Sequence, residues 1–289
     1  MPPTQARDSR SDAASATSVP GYARRTVRRR RAGNSVDTAD CVAEEVPVAL
    51  IYNERAHAVM MATPGDLEDF ALGFSLSEAI VGRVDELEDL DARTVLEGVE
   101  IRMTIPKERA EFLLGRSRNL VGRSGCGLCG AETLESAIRH PPAVGTGVAI
   151  DDATLVSTLK QLRERQPLNV ATGATHAAAW ADSMGNIELL REDVGRHNAL
   201  DKLIGAMARA GTNAQSGFAV ITSRASYEMV QKGATVGMTL IAAISAPTTL
   251  AIHLAEETGV TLIGFARADG HVVYAHPNRI GCATGDQGS

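Results

Sequence analysis

Aromatic side chains are scarce in this chain. They make up 3% of its 289 residues, so any hydrophobic core must be mostly aliphatic. No apolar run approaches the ~20 residues that a membrane-spanning helix needs. No signal-peptide pattern opens the chain, and a cytoplasmic protein with reduced thiols is expected. Cysteine is sparse too. Four residues (41, 126, 129 and 282) do not suggest a disulfide scaffold in a chain this long. There is no GxxxxGK-S/T and no GxGxxG, so neither a P-loop nor a dinucleotide Rossmann site is supported. Basic charge is missing from most of the sequence. Residues 1–33 hold eight arginines against Asp8 and Asp12, a balance of +6, while the whole chain is −6 and the remainder therefore −12. An acidic body argues against a nucleic-acid-binding core. The arginine cluster has no hydrophobic periodicity and reads as a solvated, disordered tail. Its Arg24-Arg25 pair is followed by no apolar segment, which excludes twin-arginine export.

What is present is a regular alternation of elements. Residues 42–51 and 57–62 read as two strands joined at Asn53-Glu54. Pro64-Gly65-Asp66 opens a helix, with Asp66 as N-cap and Leu67, Phe70, Ala71, Phe74 and Ile80 along one side. A strand pair follows over 86–105, where Val99, Ile101, Met103 and Ile105 alternate, and a short helix over 107–114. A helix is expected at 131–139, and Pro141-Pro142 with Gly145-Thr146-Gly147 marks a linker. Residues 151–165 form a helix on Leu155, Leu159 and Leu162. Segments 175–182 and 186–191 form a hairpin around Met184-Gly185. Helices at 195–210, 226–236 and 248–257 then alternate with strands at 218–222, 240–245, 261–265 and 272–275. This pattern implies a layered α/β fold with a partly parallel sheet.

The most unusual stretch is Gly122-Arg123-Ser124-Gly125-Cys126-Gly127-Leu128-Cys129-Gly130. Four glycines in nine residues suit neither helix nor strand. They suit a loop that lets backbone approach another molecule. The cysteines would precede the helix expected at 131–139, whose positive dipole end favours thiolate, and Arg116, Arg118 and Arg123 would add to that if near. Four readings compete for the pair. A structural zinc site needs two further ligands, and Cys41 and Cys282 are isolated, so no intrinsic metal is expected. A thioredoxin-like redox pair would sit after an early strand of a βαβ unit. Two buried thiols fit poorly among so many glycines. The fourth reading is a carrier that accepts sulfur as a persulfide and passes it on.

Three further stretches lie where strands feed helices or turns, the usual position of ligand sites in α/β sheets. In 190–202, Asp193 is a helix-cap candidate and, with Arg196 and His197, a candidate to line a cofactor pocket, Arg196 and His197 meeting an anion at the helix start. In 222–228, capping explains Ser223 and Ser226, leaving Arg224 as the candidate for a phosphate contact. In 264–270, Phe265 could stack on a base while Arg267 and Asp269 read its polar edges; Asp269-Gly270 would also make a tight turn.

Taken together, GCGLCG, REDVGRHNALDK, SRASYEMVQK and VVYAHPNRI, with Asn53-Glu54-Arg55 and the stretch 73–78, resemble the FdhD family of formate dehydrogenase accessory sulfurtransferases over about residues 40–282. That resemblance implies an α/β/α sandwich with a mixed sheet, similar to cytidine deaminases without their zinc, plus an N-terminal region of antiparallel strands and helix. It implies sulfur transfer from a cysteine desulfurase to the bis-guanine-dinucleotide molybdenum cofactor, bound as substrate, on behalf of formate dehydrogenase. Cys126 would carry the persulfide, and Cys129 would assist or resolve. The segment Phe265, Ala266, Arg267, Ala268, Asp269, Gly270 would contact the cofactor, and a homodimer is expected of the family. The expected organisation is a tail (1–33), an N-terminal lobe ending in the cysteine loop and its helix (34–145), and a C-terminal cofactor-binding α/β domain (146–289).

Overall fold

The computed structural model describes residues 21–117 and 138–281. Cys126, Cys129, Cys282 and most of the helix expected at 131–139 lie outside these residues.

The first described element corrects the expectation of a disordered tail through residue 33. β1 (Tyr22–Arg31) pairs antiparallel with β2 (Asn34–Ala43), in register from Tyr22 opposite Ala43 to Arg31 opposite Asn34. Ala32 and Gly33 both take positive φ, 45° and 86°, as a two-residue hairpin turn requires. Arg28 pairs with Asp37 at 2.8 Å across the ribbon. Its base closes where the amide of Glu44 donates to the carbonyl of Gly21.

β3 (Val46–Tyr52), β4 (Arg55–Ala62), β5 (Asp89–Val95) and β6 (Gly98–Thr104) form a four-stranded sheet in the order β4-β3-β6-β5. The hairpin at Asn53-Glu54 and the strand pair expected over 86–105 are both present. α1 (Leu67–Ser77) and α2 (Lys107–Ser117) accompany this sheet. Val48, Leu50, Ile101, Met103 and Phe70 close its core. Asp66 precedes α1 as expected, but its side chain does not cap the helix. Its carboxylate instead lies 3.6 Å from Arg191.

The larger sheet begins after β7 (Ile150–Asp151), α3 (Asp152–Glu164) and the short α4 (Pro167–Thr172). Its strands are β8 (His176–Asp182), β9 (Ile187–Asp193), β10 (Gly217–Ile221), β11 (Leu240–Ala243), β12 (Thr261–Arg267) and β13 (Gly270–Ala275). The order is β13-β12-β11-β10-β8-β9. β10, β11 and β12 run parallel, while β8 and β13 pair antiparallel with their neighbours. β9 is antiparallel to β8, so it points the same way as β10. A short ladder of β14 (Ile280–Gly281) on β7 closes the described chain.

Both faces of this sheet are covered, which gives the expected α/β/α sandwich with a mixed sheet. Strand residues alternate between two cores. Ala178, Trp180, Ala219, Ile221, Ile241 and Leu262 face the helices α5 (Arg196–Ala210), α6 (Tyr227–Thr235) and α7 (Thr249–Thr258). Ala177, Ala179, Phe218, Val220, Ala242 and Ile263 face Leu155, Leu159 and Leu162 of α3. The two sheets are joined by α1, which is buried on more sides than one apolar stripe suggests. Gly73 of α1 and Gly205 of α5 let the backbones touch. A Cβ on Gly73 would lie 1.7 Å from the carbonyl oxygen of Asp201, and one on Gly205 would lie 1.9 Å from that of Asp69.

Candidate functional site

Because β9, β10, β11 and β12 share a direction, their C-terminal ends lie along one edge of the large sheet. Three of these strands lead there into the N-termini of α5, α6 and α7. The sequence candidates after residue 190 fall on this edge, with different roles.

Asp193 does not face a ligand. It is fully buried and forms an ion pair with the equally buried Lys202 at 2.7 Å. Its carboxylate also accepts from the amide and hydroxyl of Thr63, the amide of Gly195 and the side-chain amide of Asn198. Lys202 donates in addition to the carbonyl and hydroxyl of Thr63. Asp193, Asn198 and Lys202 thus tie the end of β4 to the start of α5. They shape the turn and leave Gly195, Arg196 and His197 at its surface.

Arg196 and His197 are half-buried at the first turn of α5. The Nε of Arg196 is buried with no protein partner. Nε2 of His197 lies 2.9 Å from Oε2 of Glu228 on α6. Burial resists the charge on Glu228, but hydrogen bonding and attraction from His197 prevail and hold its carboxyl below the usual range. His176, at the start of β8 opposite Asp193, has its imidazole pushed down by burial and by the charges of Arg196 and His197. His176 and Glu228 are thus members of this cluster that residue type alone did not single out. Neither α5 nor α6 has a side-chain cap on its N-terminal amides. Positive helix ends, an orphaned guanidinium nitrogen and a histidine together suit an anion such as phosphate.

Arg224 is exposed in the turn between β10 and α6. That turn is braced by the next one, since Ala225 bridges to Pro247 and the amide of Thr248 donates to the carbonyl of Ala225. On β12, Phe265 has φ 51° and sits in a break of the β12–β13 register between Gly264 and Arg267. The break turns its ring outward, 39% exposed, while Ala266 points into the core. Arg267, Ala268, Asp269 and Gly270 form the exposed hairpin tip. The edge therefore offers an anion cluster at β9 and an aromatic ring at β12. The ends of β9 and β12 lie four strand spacings apart, roughly 19 Å at ~4.8 Å per strand. No group of three or more potential metal-ligating side chains occurs among the described residues, and no helix there is long and apolar enough to cross a membrane.

A second charged cluster lies where α1, α5 and α6 meet. Lys232 Nζ sits 2.9 Å from both oxygens of Asp201, 2.9 Å from Oε1 of Glu78 and 2.9 Å from the hydroxyl of Ser77. Arg139 contacts the other oxygen of Glu78 at 2.7 Å. Burial alone would raise the carboxyl of Glu78, but Lys232 and Arg139 overcome it and bring its pKa to about 2. A carboxyl depressed in the folded state stabilises the fold above its ordinary unfolded value and loses that contribution as pH falls through the folded one. From the ordinary 4.5 down to about 2, acid should remove up to about 3 kcal/mol of stability at this residue. Chemical denaturation across that window should show a shallower fall for Glu78→Gln than for the parent.

The pattern of the FdhD/NarQ family matches residues 43–281. A sulfur carrier protein FdhD from Xanthomonas euvesicatoria pv. vesicatoria (strain 85-10) is 58% identical over 269 residues, 92% of this chain and 96% of that protein. A protein of the same name from Cupriavidus necator is 52% identical over 261 residues, 90% of this chain and 91% of that protein. A crystal structure from Desulfotalea psychrophila, of a chain described as a formate dehydrogenase accessory protein, superposes with a TM-score of 0.71 at 23% identity. It spans 90% of this chain and all of that one, and shows the same fold. Match to the family pattern over most of the chain, and identity above half to its sulfur carriers, make this chain a member of the FdhD/NarQ family.

Proposed function

We propose that this protein carries sulfur for formate dehydrogenase: it takes a persulfide sulfur from a cysteine desulfurase onto Cys126 and passes it to a bis-guanine-dinucleotide molybdenum cofactor held along the strand edge. The observation that carries the reading is the identity above half, over nearly the whole chain, to sulfur carrier proteins. The edge supports the choice of acceptor. A ligand touching both Arg196 and Phe265 would present phosphate at one end and a base at the other, as a guanine dinucleotide does.

In the loading step the Cys126 thiolate attacks the terminal sulfur of the donor persulfide. The donor S–S bond breaks, the donor cysteine leaves as thiolate, and Cys126 becomes a persulfide. In delivery the S–S bond of the Cys126 persulfide breaks: Cys126 leaves as thiolate, and the terminal sulfur is transferred to the reduced metal centre of the substrate, which would supply the two electrons that bring it to sulfide level. Arg196, His197 and the amides of α5 would balance phosphate charge. Arg224 would add a contact from the next turn, and Phe265 with the tip at 267–270 would receive a guanine. Attack by Cys129 on the Cys126 persulfide would release sulfide and leave a disulfide, emptying an unused carrier.

Radiolabelled cysteine supplied with desulfurase should label this protein first, and the label should then move to cofactor destined for formate dehydrogenase. Label that reaches the cofactor without passing through this chain contradicts the proposal. The edge has its own test. Arg196→Ala should weaken GDP binding about tenfold, the scale of one charge-assisted hydrogen bond, in calorimetric titration. An unchanged affinity would place the phosphates elsewhere.

A further inference from the structure

The anion cluster at the strand edge already holds an anion of its own. Glu228 lies in the first turn of α6, at the positive end of that helix. Its carboxylate reaches across to α5, where Oε2 lies 2.9 Å from Nε2 of His197, with the two side chains 19% and 16% exposed. The hydroxyl of Ser226 donates to the same oxygen at 3.3 Å. Arg196, the first residue of α5, adds a longer-range attraction. One carboxylate therefore bridges the starts of two helices that have no side-chain cap, beside an Arg196 Nε with no protein partner. An acid that served only the dipole of α6 would need no partner on α5. The contact with His197 is what takes positive charge out of the cluster.

A count of charge shows what this leaves for a ligand. Asp193 and Lys202 cancel each other in the core. Burial and the neighbouring cations push His176 toward its neutral form. Glu228 offsets the charge that His197 carries when protonated. At the start of α5 the charge of Arg196 remains, while Arg224 is exposed in the turn before α6. A phosphodiester carries one negative charge and matches that remainder. A terminal phosphate carries nearly two at neutral pH and sets the second against the Glu228 carboxylate. The base offers no such discrimination. GDP and a guanine dinucleotide share their guanine, so Phe265 and the tip at 267–270 would receive both alike, and the two ligands differ only at the phosphate end.

We infer that Glu228 is the specificity-determining residue of this cluster: its carboxylate admits the singly charged phosphates of a pyrophosphate diester, as in a guanine dinucleotide, and disfavours the doubly charged terminal phosphate of a free guanine nucleotide. The inference rests on the reading in which this edge holds the phosphates of the cofactor, and it adds how the edge tells that cofactor from free nucleotide.

Calorimetric titration of the full-length protein with two probes tests it. One is GDP. The other is diguanosine pyrophosphate, two guanosines joined through a pyrophosphate that has no terminal group. The parent should bind the diester about tenfold more tightly, the order of one unit-charge interaction at a half-buried surface. Glu228→Gln keeps the size of the side chain and deletes its charge. It should raise GDP affinity about tenfold and diester affinity much less, so that the preference disappears. Glu228→Asp keeps the charge and should keep the preference. A parent that binds GDP as tightly as the diester overturns the inference, and that result stands even if Glu228→Gln fails to fold. A folded Glu228→Gln that retains the parent's preference also overturns it. So does one that loses affinity for both probes, which marks Glu228 as a support for His197. If the parent binds neither probe, it is the reading of the edge as a phosphate site that fails.

Discussion

Cys126→Ala should leave the fold intact and lower formate dehydrogenase activity in cells by at least on the order of a hundredfold, the scale expected when an essential nucleophile is removed. Cys129→Ala should be milder, because the loading step needs only one thiolate. The contrast excludes two rivals. A thiol–disulfide oxidoreductase needs both cysteines and reduces insulin with a thiol donor. A non-catalytic chaperone for cofactor or apo-enzyme needs neither. Nucleotide binding should survive in both variants, since the residues assigned to it lie on the edge of the large sheet. Full formate dehydrogenase activity in cells relying on Cys126→Ala would end the carrier assignment.

The second large effect concerns stability. Asp193→Ala should cost about 3–5 kcal/mol, because it strands the buried ammonium of Lys202 without its counter-charge. It also leaves the amide of Thr63 without its acceptor. Truncating both partners in Asp193→Ala/Lys202→Met should cost much less than the sum of the single changes, since the two charges leave together. Denaturant titration reads both. The result also separates two roles for Asp193. As a ligand-binding residue its loss would weaken GDP binding at little cost in stability. As the buried tie seen here, its loss destabilises the protein while the folded fraction binds GDP normally.

Asp193 shows what the sequence could convey and what it could not. Its position at a strand end was legible from the hydrophobic run before it and the helical spacing after it. Its burial was not, because a stretch with several charged residues reads as solvated until the fold brings Thr63 across from another sheet. The same limit hid Lys232 and Glu78, whose charges are balanced only by residues distant in the chain. Apart from α4, the helices after residue 150 were legible because each carries an apolar stripe, and the strands because they alternate or are continuously apolar. β1 was not, since an arginine-rich strand has no hydrophobic period; cross-strand pairing with β2 forms it instead. α4 is short and starts at Pro167, with too few residues to show a period. The edge positions of Arg196, His197 and Phe265 were legible because they lie at strand ends. His176 and Glu228 were missed because they come from a strand start and a helix face.

The most direct test of sulfur carriage is the mass of the peptide that contains Cys126 after incubation with desulfurase and cysteine. The carrier account predicts one additional sulfur atom on Cys126, removed by reductant and absent when desulfurase is omitted. An unmodified Cys126 under conditions that load the desulfurase itself would contradict it.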